Sequence, residues 1–214
     1  MKSLLRNTLK DLLQSTIYPG RFLWRLPPAS ANLALTFDDG PDPEWTPRML
    51  DMLAEQEAQA TFFLVGRAVR RHPGLVRRIV GEGHAVGGHS DDHTVITTQS
   101  SAALREDLAR CRAAIADAAG VDSILFRPPK GEVNLRSIRT VCGAGYRLVH
   151  WSRTFSDYRR DGTDALSSRI AAVGASAGDI LLFHDNNPYT AQALAATLPR
   201  WKSQSLGFVP LPHS

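Results

Sequence analysis

The chain has 214 residues, 43% of them hydrophobic, which suits one globular domain with a sizeable core. No stretch approaches the ~18 uninterrupted apolar residues of a spanning helix. The net charge of +4 sits entirely in residues 1–30, where Lys2, Arg6, Lys10, Arg21 and Arg25 face only Asp11. The rest is charge-balanced, which excludes a basic stripe for nucleic acid.

In chain order, residues 1–17 read as an amphipathic helix. Leu5, Leu9, Leu12 and Leu13 fall on one side, and Asn7, Lys10, Asp11 and Gln14 on the other, with Arg6 at the edge. Arg6, Asn7, Lys10 and Asp11 interrupt any signal-peptide core, so no secretory leader is expected. Two readings of residues 1–25 stay open: peripheral contact with an anionic membrane, or packing across the body of the fold. Residues 1–30 are therefore set apart as a basic amphipathic segment, and 31–214 as the single domain. Beyond it, strand-like runs at 32–37, 61–65, 84–88, 124–127, 147–151, 180–184 and 208–211 alternate with helical stretches at 46–57, 73–82, 101–119, 134–143, 163–173 and 190–202. Alternation of this kind predicts a parallel α/β fold. Cys111 and Cys142 fall in helical stretches and make no disulfide framework. They are expected to be buried free thiols, which suits a reducing cytoplasm, with the inner membrane face as the peripheral alternative.

Chemistry collects where the strands end. The first ends in Thr36-Phe37-Asp38-Asp39-Gly40-Pro41. Two adjacent carboxylates repel unless a cation lies between them or a proton is shared, so one is expected to bind a metal and the other to act as a base. Fifty residues on, His89 and His93 follow a strand that ends in Gly-Gly. Their four-residue spacing predicts one turn of helix with both imidazoles on one face. Two nitrogens and the Asp39 carboxylate leave a coordination position open, as in catalytic zinc sites. Arg127 ends another strand and can tether a carboxylate. His184 tips the run Ile180-Leu181-Leu182-Phe183, a candidate general acid.

Together these segments resemble the NodB-like polysaccharide deacetylases, carbohydrate esterase family 4, over roughly residues 32–210. The resemblance implies a distorted (β/α)7 barrel with a site at the strand C-termini. It makes Asp38 the catalytic base, and Asp39, His89 and His93 the metal ligands. Arg127 would hold and keep ionised the base, and Asp157 in Trp151-Ser152-Arg153-Thr154-Phe155-Ser156-Asp157-Tyr158 would orient the acid His184. The chain departs from the family pattern at four places. Lys130 stands where Tyr is usual and Tyr158 where Trp is usual, Thr154 replaces an upstream Asp, and Thr94 replaces a Pro after His93. Lys130 would still offer its backbone N–H to an oxyanion, while Trp45 and Tyr158 would pack on a sugar ring; Trp151 is read as core. One divalent ion is implied, zinc by default, with cobalt or nickel as alternatives. The implied substrate is an N-acetylated oligosaccharide or glycolipid. A deformylase or deacetylase of a lipid-linked sugar, and a non-catalytic metal-containing carbohydrate-binding protein, are the alternatives.

Overall fold

A computed structural model describes residues 2–27 and 30–212, with the side chains of residues 2–6 left aside. The elements run α1 (Lys2–Leu12), β1 (Phe22–Leu23), β2 (Asn32–Asp38), α2 (Trp45–Glu55), β3 (Ala60–Leu64), α3 (Gly66–Arg71), α4 (Pro73–Gly81), β4 (Ala85–Gly88) and α5 (Ser101–Ala119). They continue β5 (Leu125–Phe126), α6 (Leu135–Gly143), β6 (Arg147–Val149), β7 (Arg153–Thr154), α7 (Thr163–Val173), β8 (Ile180–His184), α8 (Thr190–Ser203) and β9 (Gly207–Phe208).

All the strand pairings are parallel, and the sheet order is β1-β6-β5-β4-β3-β2-β8-β7, with β9 added beside the start of β2. The sheet curls until its two ends nearly meet. Residues after β1 bridge the remaining gap: Arg25 pairs with Asp179, and Leu26 N–H donates to the Gly178 carbonyl at 2.9 Å. This is the distorted barrel expected from the motifs.

The period-2 alternation of the strands explains where the core and the site lie. On β2, Leu33, Leu35 and Phe37 point outward and pack with Leu181 and Phe183 of β8 under the helices. The intervening Ala34 and Ile180 face inward with Phe63, Leu125 and Val149 and fill the barrel. Continuing up that inner column, Thr36 and Asp38 stand beside Leu182 and His184. Both faces are buried, which is why these strands read as continuous apolar runs.

Local signals placed several helices. Ser100 Oγ accepts from Ala103 N–H at 3.2 Å at the start of α5, and Gly120 closes that helix at φ 70°. Asn134 and Ser137 form a capping box on α6. Three elements were not foreseen. The strands β1 and β7 are two residues long, too short to carry a period, and α3 is a six-residue helix directly after a strand. The helical turn predicted for 89–93 is absent. Ser90 and His93 have φ of 67° and 59°, so the two histidines sit on a left-handed loop rather than a helix.

The N-terminal segment packs on the body through Lys10, Leu13 and Gln14, residues drawn from both sides of the expected amphipathic division, while Asn7 and Asp11 are exposed. Gln14 accepts from Trp24 N–H at 2.9 Å and donates to the Arg25 carbonyl at 3.1 Å. Lys10 Nζ donates to the Trp151 carbonyl at 3.0 Å. Leu13, Phe22 and Trp24 are buried with Ile138, Val141 and Leu148, while Leu9, Leu12 and Ile17 are exposed. The placement of the Leu5 and Arg6 side chains lies outside the described residues. Cys111 and Cys142 are buried free thiols. Among the described residues, no helix is long and apolar enough to cross a membrane.

Candidate active site

Adjacent residues of a strand point to opposite faces, yet Asp38 and Asp39 both reach the same cavity. Asp39 has φ 78°, and this left-handed step breaks the alternation immediately after the strand. The Asp39 carboxylate meets the histidine loop, with His93 Nε2 3.2 Å and His89 Nε2 3.5 Å from Oδ1. His89 Nδ1 lies 2.8 Å from the Arg127 carbonyl, an acceptor, so it carries the ring proton. In that tautomer Nε2 turns a lone pair toward a carboxylate oxygen. Asp39 Oδ1 itself is buried and accepts no hydrogen bond of proper geometry among the described residues. Acceptors facing acceptors call for a cation, and the three donor atoms lie within 4.8 Å of one another. The donor set fits a divalent ion, and the tie from His89 to Arg127 is the outer-shell bond such ligands use.

The histidine loop is fastened from α5 and α3. Asp107 accepts from Ser90 Oγ and Asp91 N–H, each at 3.1 Å. Asp91 is gripped at both oxygens by Arg70, at 2.7 and 3.0 Å, and by Arg110 at 3.3 Å. A left-handed loop is costly for non-glycine residues, and this network offsets that cost.

Beside this triad, Arg127 is fully buried and donates to Asp38 Oδ1 at 2.8 Å and to Thr36 Oγ1 at 2.6 Å. Its guanidinium also lies 4.1 Å from the Phe63 ring centre. Removing one partner of such a buried pair leaves an uncompensated charge, costing about 3–5 kcal/mol. Asp38 Oδ2 is left facing the cavity, 3.8 Å from His89 Nε2. The parallel register sets Asp38 directly against His184. Asp157 holds that histidine twice, through Nδ1 at 2.9 Å and through the backbone N–H at 2.7 Å, and itself accepts from Thr190 Oγ1 at 3.0 Å. Burial would lower the His184 pKa, but the Asp157 carboxylate outweighs it and raises the value to about 9.

A cavity of about 470 Å³ opens over these groups, lined by Asp38, Asp39, His89, His93 and His184 and walled by Lys130, Trp151, Tyr158 and Leu182. Tyr158 is exposed and meets His184 edge-on. Lys130 is held at φ 58° between two prolines and Gly131. Trp151, read from sequence as core, is a cavity wall, stacked on His150 with ring centres 4.3 Å apart. A Cβ on Gly131 would overlap the Trp151 indole, so only glycine fits there. Trp45 is not brought to the site. It begins α2, stacks under Arg48 at 4.7 Å and lines neither this cavity nor its neighbour.

Two more groups went unnoticed in the sequence. Asp185 is buried behind the site, where its Oδ2 accepts from Thr46 Oγ1 at 2.5 Å and burial pushes its pKa up to about 7. A side chain on Gly40 would collide with it. Asn186 donates to Asp39 Oδ2 at 3.4 Å. Both follow His184 directly, but no spacing rule distinguishes them from loop residues.

The polysaccharide deacetylase family profile matches residues 26–149, more than half of the chain. The chain belongs to the polysaccharide deacetylase family. A peptidoglycan-N-acetylglucosamine deacetylase of Bacillus cereus is 36% identical over 204 residues, covering 92% of this chain and 95% of the relative. A chitooligosaccharide deacetylase of Rhizobium leguminosarum bv. trifolii is 35% identical over 85% of this chain and 91% of its own. Against the peptidoglycan-N-acetylglucosamine deacetylase PgdA of Listeria monocytogenes the identity is 38%, and the matched segment spans 39% of that longer protein. Among solved structures, the Bc1960 peptidoglycan N-acetylglucosamine deacetylase, in complex with a hydroxamate-type benzamide, superposes with a TM-score of 0.87 at 28% identity, covering 94% of each chain.

Proposed function

We propose that this member of the family is a metal-dependent hydrolase that removes N-acetyl groups from an amino sugar within a glycan. The observation that carries this reading is the convergence of Asp39, His89 and His93 donor atoms beside a register-matched Asp38 and His184. The relatives' activities support it, since they are deacetylases of peptidoglycan N-acetylglucosamine and of chitooligosaccharides.

A divalent ion held by Asp39, His89 and His93 supplies Lewis-acid chemistry, and two imidazoles with one carboxylate favour zinc. Asp38, oriented by Arg127, accepts a proton from the water that attacks the amide carbonyl. The Lys130 backbone N–H helps to hold the oxyanion. His184, protonated through its pairing with Asp157, gives a proton to the departing nitrogen. The bond from carbonyl carbon to nitrogen breaks, leaving an amine on the sugar and free acetate. Trp151 and Tyr158 offer aromatic faces to the sugar ring.

Acetate release from N-acetylated oligosaccharides should fall at least about 100-fold on chelation and return with stoichiometric zinc. Full activity in the metal-stripped protein would refute the reading. The exposed Leu9, Leu12 and Ile17 support an accessory contact with a membrane surface. Flotation with anionic vesicles should then be lost in Leu9→Ser/Leu12→Ser, and equal flotation of wild type and variant would end that reading.

A further inference from the structure

The turn Pro129–Gly131, which carries the Lys130 N–H, has a costly backbone. Lys130 and Gly131 have φ of 58° and 65°, two left-handed residues in a row, and the first of them is not glycine. Such a conformation persists only where its surroundings hold it. Within the turn, Gly131 N–H donates to the Pro128 carbonyl at 2.9 Å. From outside, two adjacent residues hold Gly131. The Trp151 indole lies where a Cβ on this glycine would be. His150 Nε2 lies 3.1 Å from the Gly131 carbonyl, which can only accept, so Nε2 carries the ring proton and donates it.

His150 follows β6 directly and is buried. Its carbonyl accepts from the Arg127 guanidinium at 3.3 Å, and its backbone N–H donates to the Leu23 carbonyl at 2.6 Å. One residue thus touches both the turn with the oxyanion donor and the arginine that orients Asp38. The ring stacks on Trp151 and on Phe22. Burial, with Lys10 and Arg127 nearby, pushes its pKa down to about 3, so the imidazole is neutral. Nδ1 is buried and has no hydrogen-bond partner among the described residues. A buried nitrogen without a partner is costly, so an apolar ring would serve packing better. The bond from Nε2 to Gly131 is what the imidazole adds.

We infer that His150 is a positioning residue for amide hydrolysis: its Nε2–H fixes the Pro129–Gly131 turn, so that the Lys130 N–H stays aimed at the oxyanion. The inference rests on the deacetylase reading and adds a residue to it. The oxyanion exists only in the transition state and the tetrahedral intermediate. Misaiming its donor therefore lowers kcat and kcat/KM together and leaves KM alone.

The test uses the zinc-loaded full chain and soluble N-acetylglucosamine oligosaccharides. His150→Phe keeps a stacked ring and removes the N–H donor. Its kcat should fall about tenfold or more, part of the roughly 10²–10³ that loss of an oxyanion donor costs. KM should stay within about twofold, with zinc bound as in wild type. His150→Gln, whose amide nitrogen can reach the Gly131 carbonyl, should regain most of the kcat. If His150→Phe does not fold, His150→Asn, whose amide stops short of that carbonyl, takes its place with the same expectation. A merely structural role would lower the melting temperature of the phenylalanine and glutamine variants alike and leave the kcat of the folded, zinc-loaded protein at the wild-type value. That outcome, or a loss confined to KM or to zinc binding, would overturn the inference while leaving the deacetylase reading intact. Failure of the wild type to release acetate would overturn both.

Discussion

In the proposed mechanism, His184 and Asp157 set the pH range of the chemistry. The His184 pKa, raised to about 9 from an ordinary 6.5, keeps the imidazole protonated through neutral pH. Its folded value exceeds its unfolded one, so the pair's stabilisation is complete below about pH 6.5 and disappears as the pH rises through 9. In the proposed mechanism the same proton is the one given to the leaving nitrogen. In Asp157→Asn the alkaline limb of kcat should therefore move from about pH 9 toward 6.5, with kcat at pH 8 reduced at least about tenfold. A variant whose alkaline limb stays at 9 would show that Asp157 does not tune the acid. At this scale the sequence was legible wherever a residue type implied its chemistry and, for Asp157, through the family resemblance. Asp38, Asp39, His89, His93, Arg127, Asp157 and His184 all meet in one region. The backbone that brings them there was not legible. The left-handed turn at Asp39 and the left-handed loop at Ser90 and His93 are conformations that neighbouring residues do not announce. Trp45 was drawn toward the site by proximity in sequence alone, and α2 carries it away.

At the scale of elements, the N-terminal segment is part of the barrel. The strand β1 pairs with β6, and residues 25 and 26 close the gap toward β8. Deleting residues 1–24 would remove the buried Leu13, Phe22 and Trp24. Each such side chain contributes about 1.5–3 kcal/mol, against a total stability of about 5–15 kcal/mol. The truncated protein is therefore expected to melt more than ~10 °C lower, or not to fold, in a thermal scan. An unchanged melting temperature would mean that the segment is only an appendage. Hydrophobic periodicity located the helices and the long strands to within a few residues. It failed for β1 and β7, because two residues make no pattern, and its two-sided division of residues 1–17 holds only in part, since Leu13 is buried but Leu9 and Leu12 are exposed. Lys10 at the end of α1 and Gln14 just beyond it turn inward because they find carbonyl and N–H partners on the body.

At the scale of the molecule, curling the parallel sheet gathers the C-terminal ends of its strands, and every strand-borne functional group sits on that rim. The order β4-β3-β2-β8 lays the histidine loop, the aspartate pair and the acid side by side, although β2 and β8 are separated by more than 140 residues. Alternation of strands and helices made the parallel architecture legible in the sequence, whereas the near-closure by residues 25 and 26 depends on two backbone contacts that no pattern encodes. In the proposed mechanism one side chain, Asp38, serves as base beside a metal that it does not hold. This role is tested most directly by acetate release from N-acetylated oligosaccharides with zinc-loaded wild type and Asp38→Ala, zinc content being measured in both. Loss of at least about 100-fold in rate with one zinc still bound per chain is the predicted result. An Asp38→Ala protein that keeps its zinc and releases acetate at the wild-type rate would contradict the account.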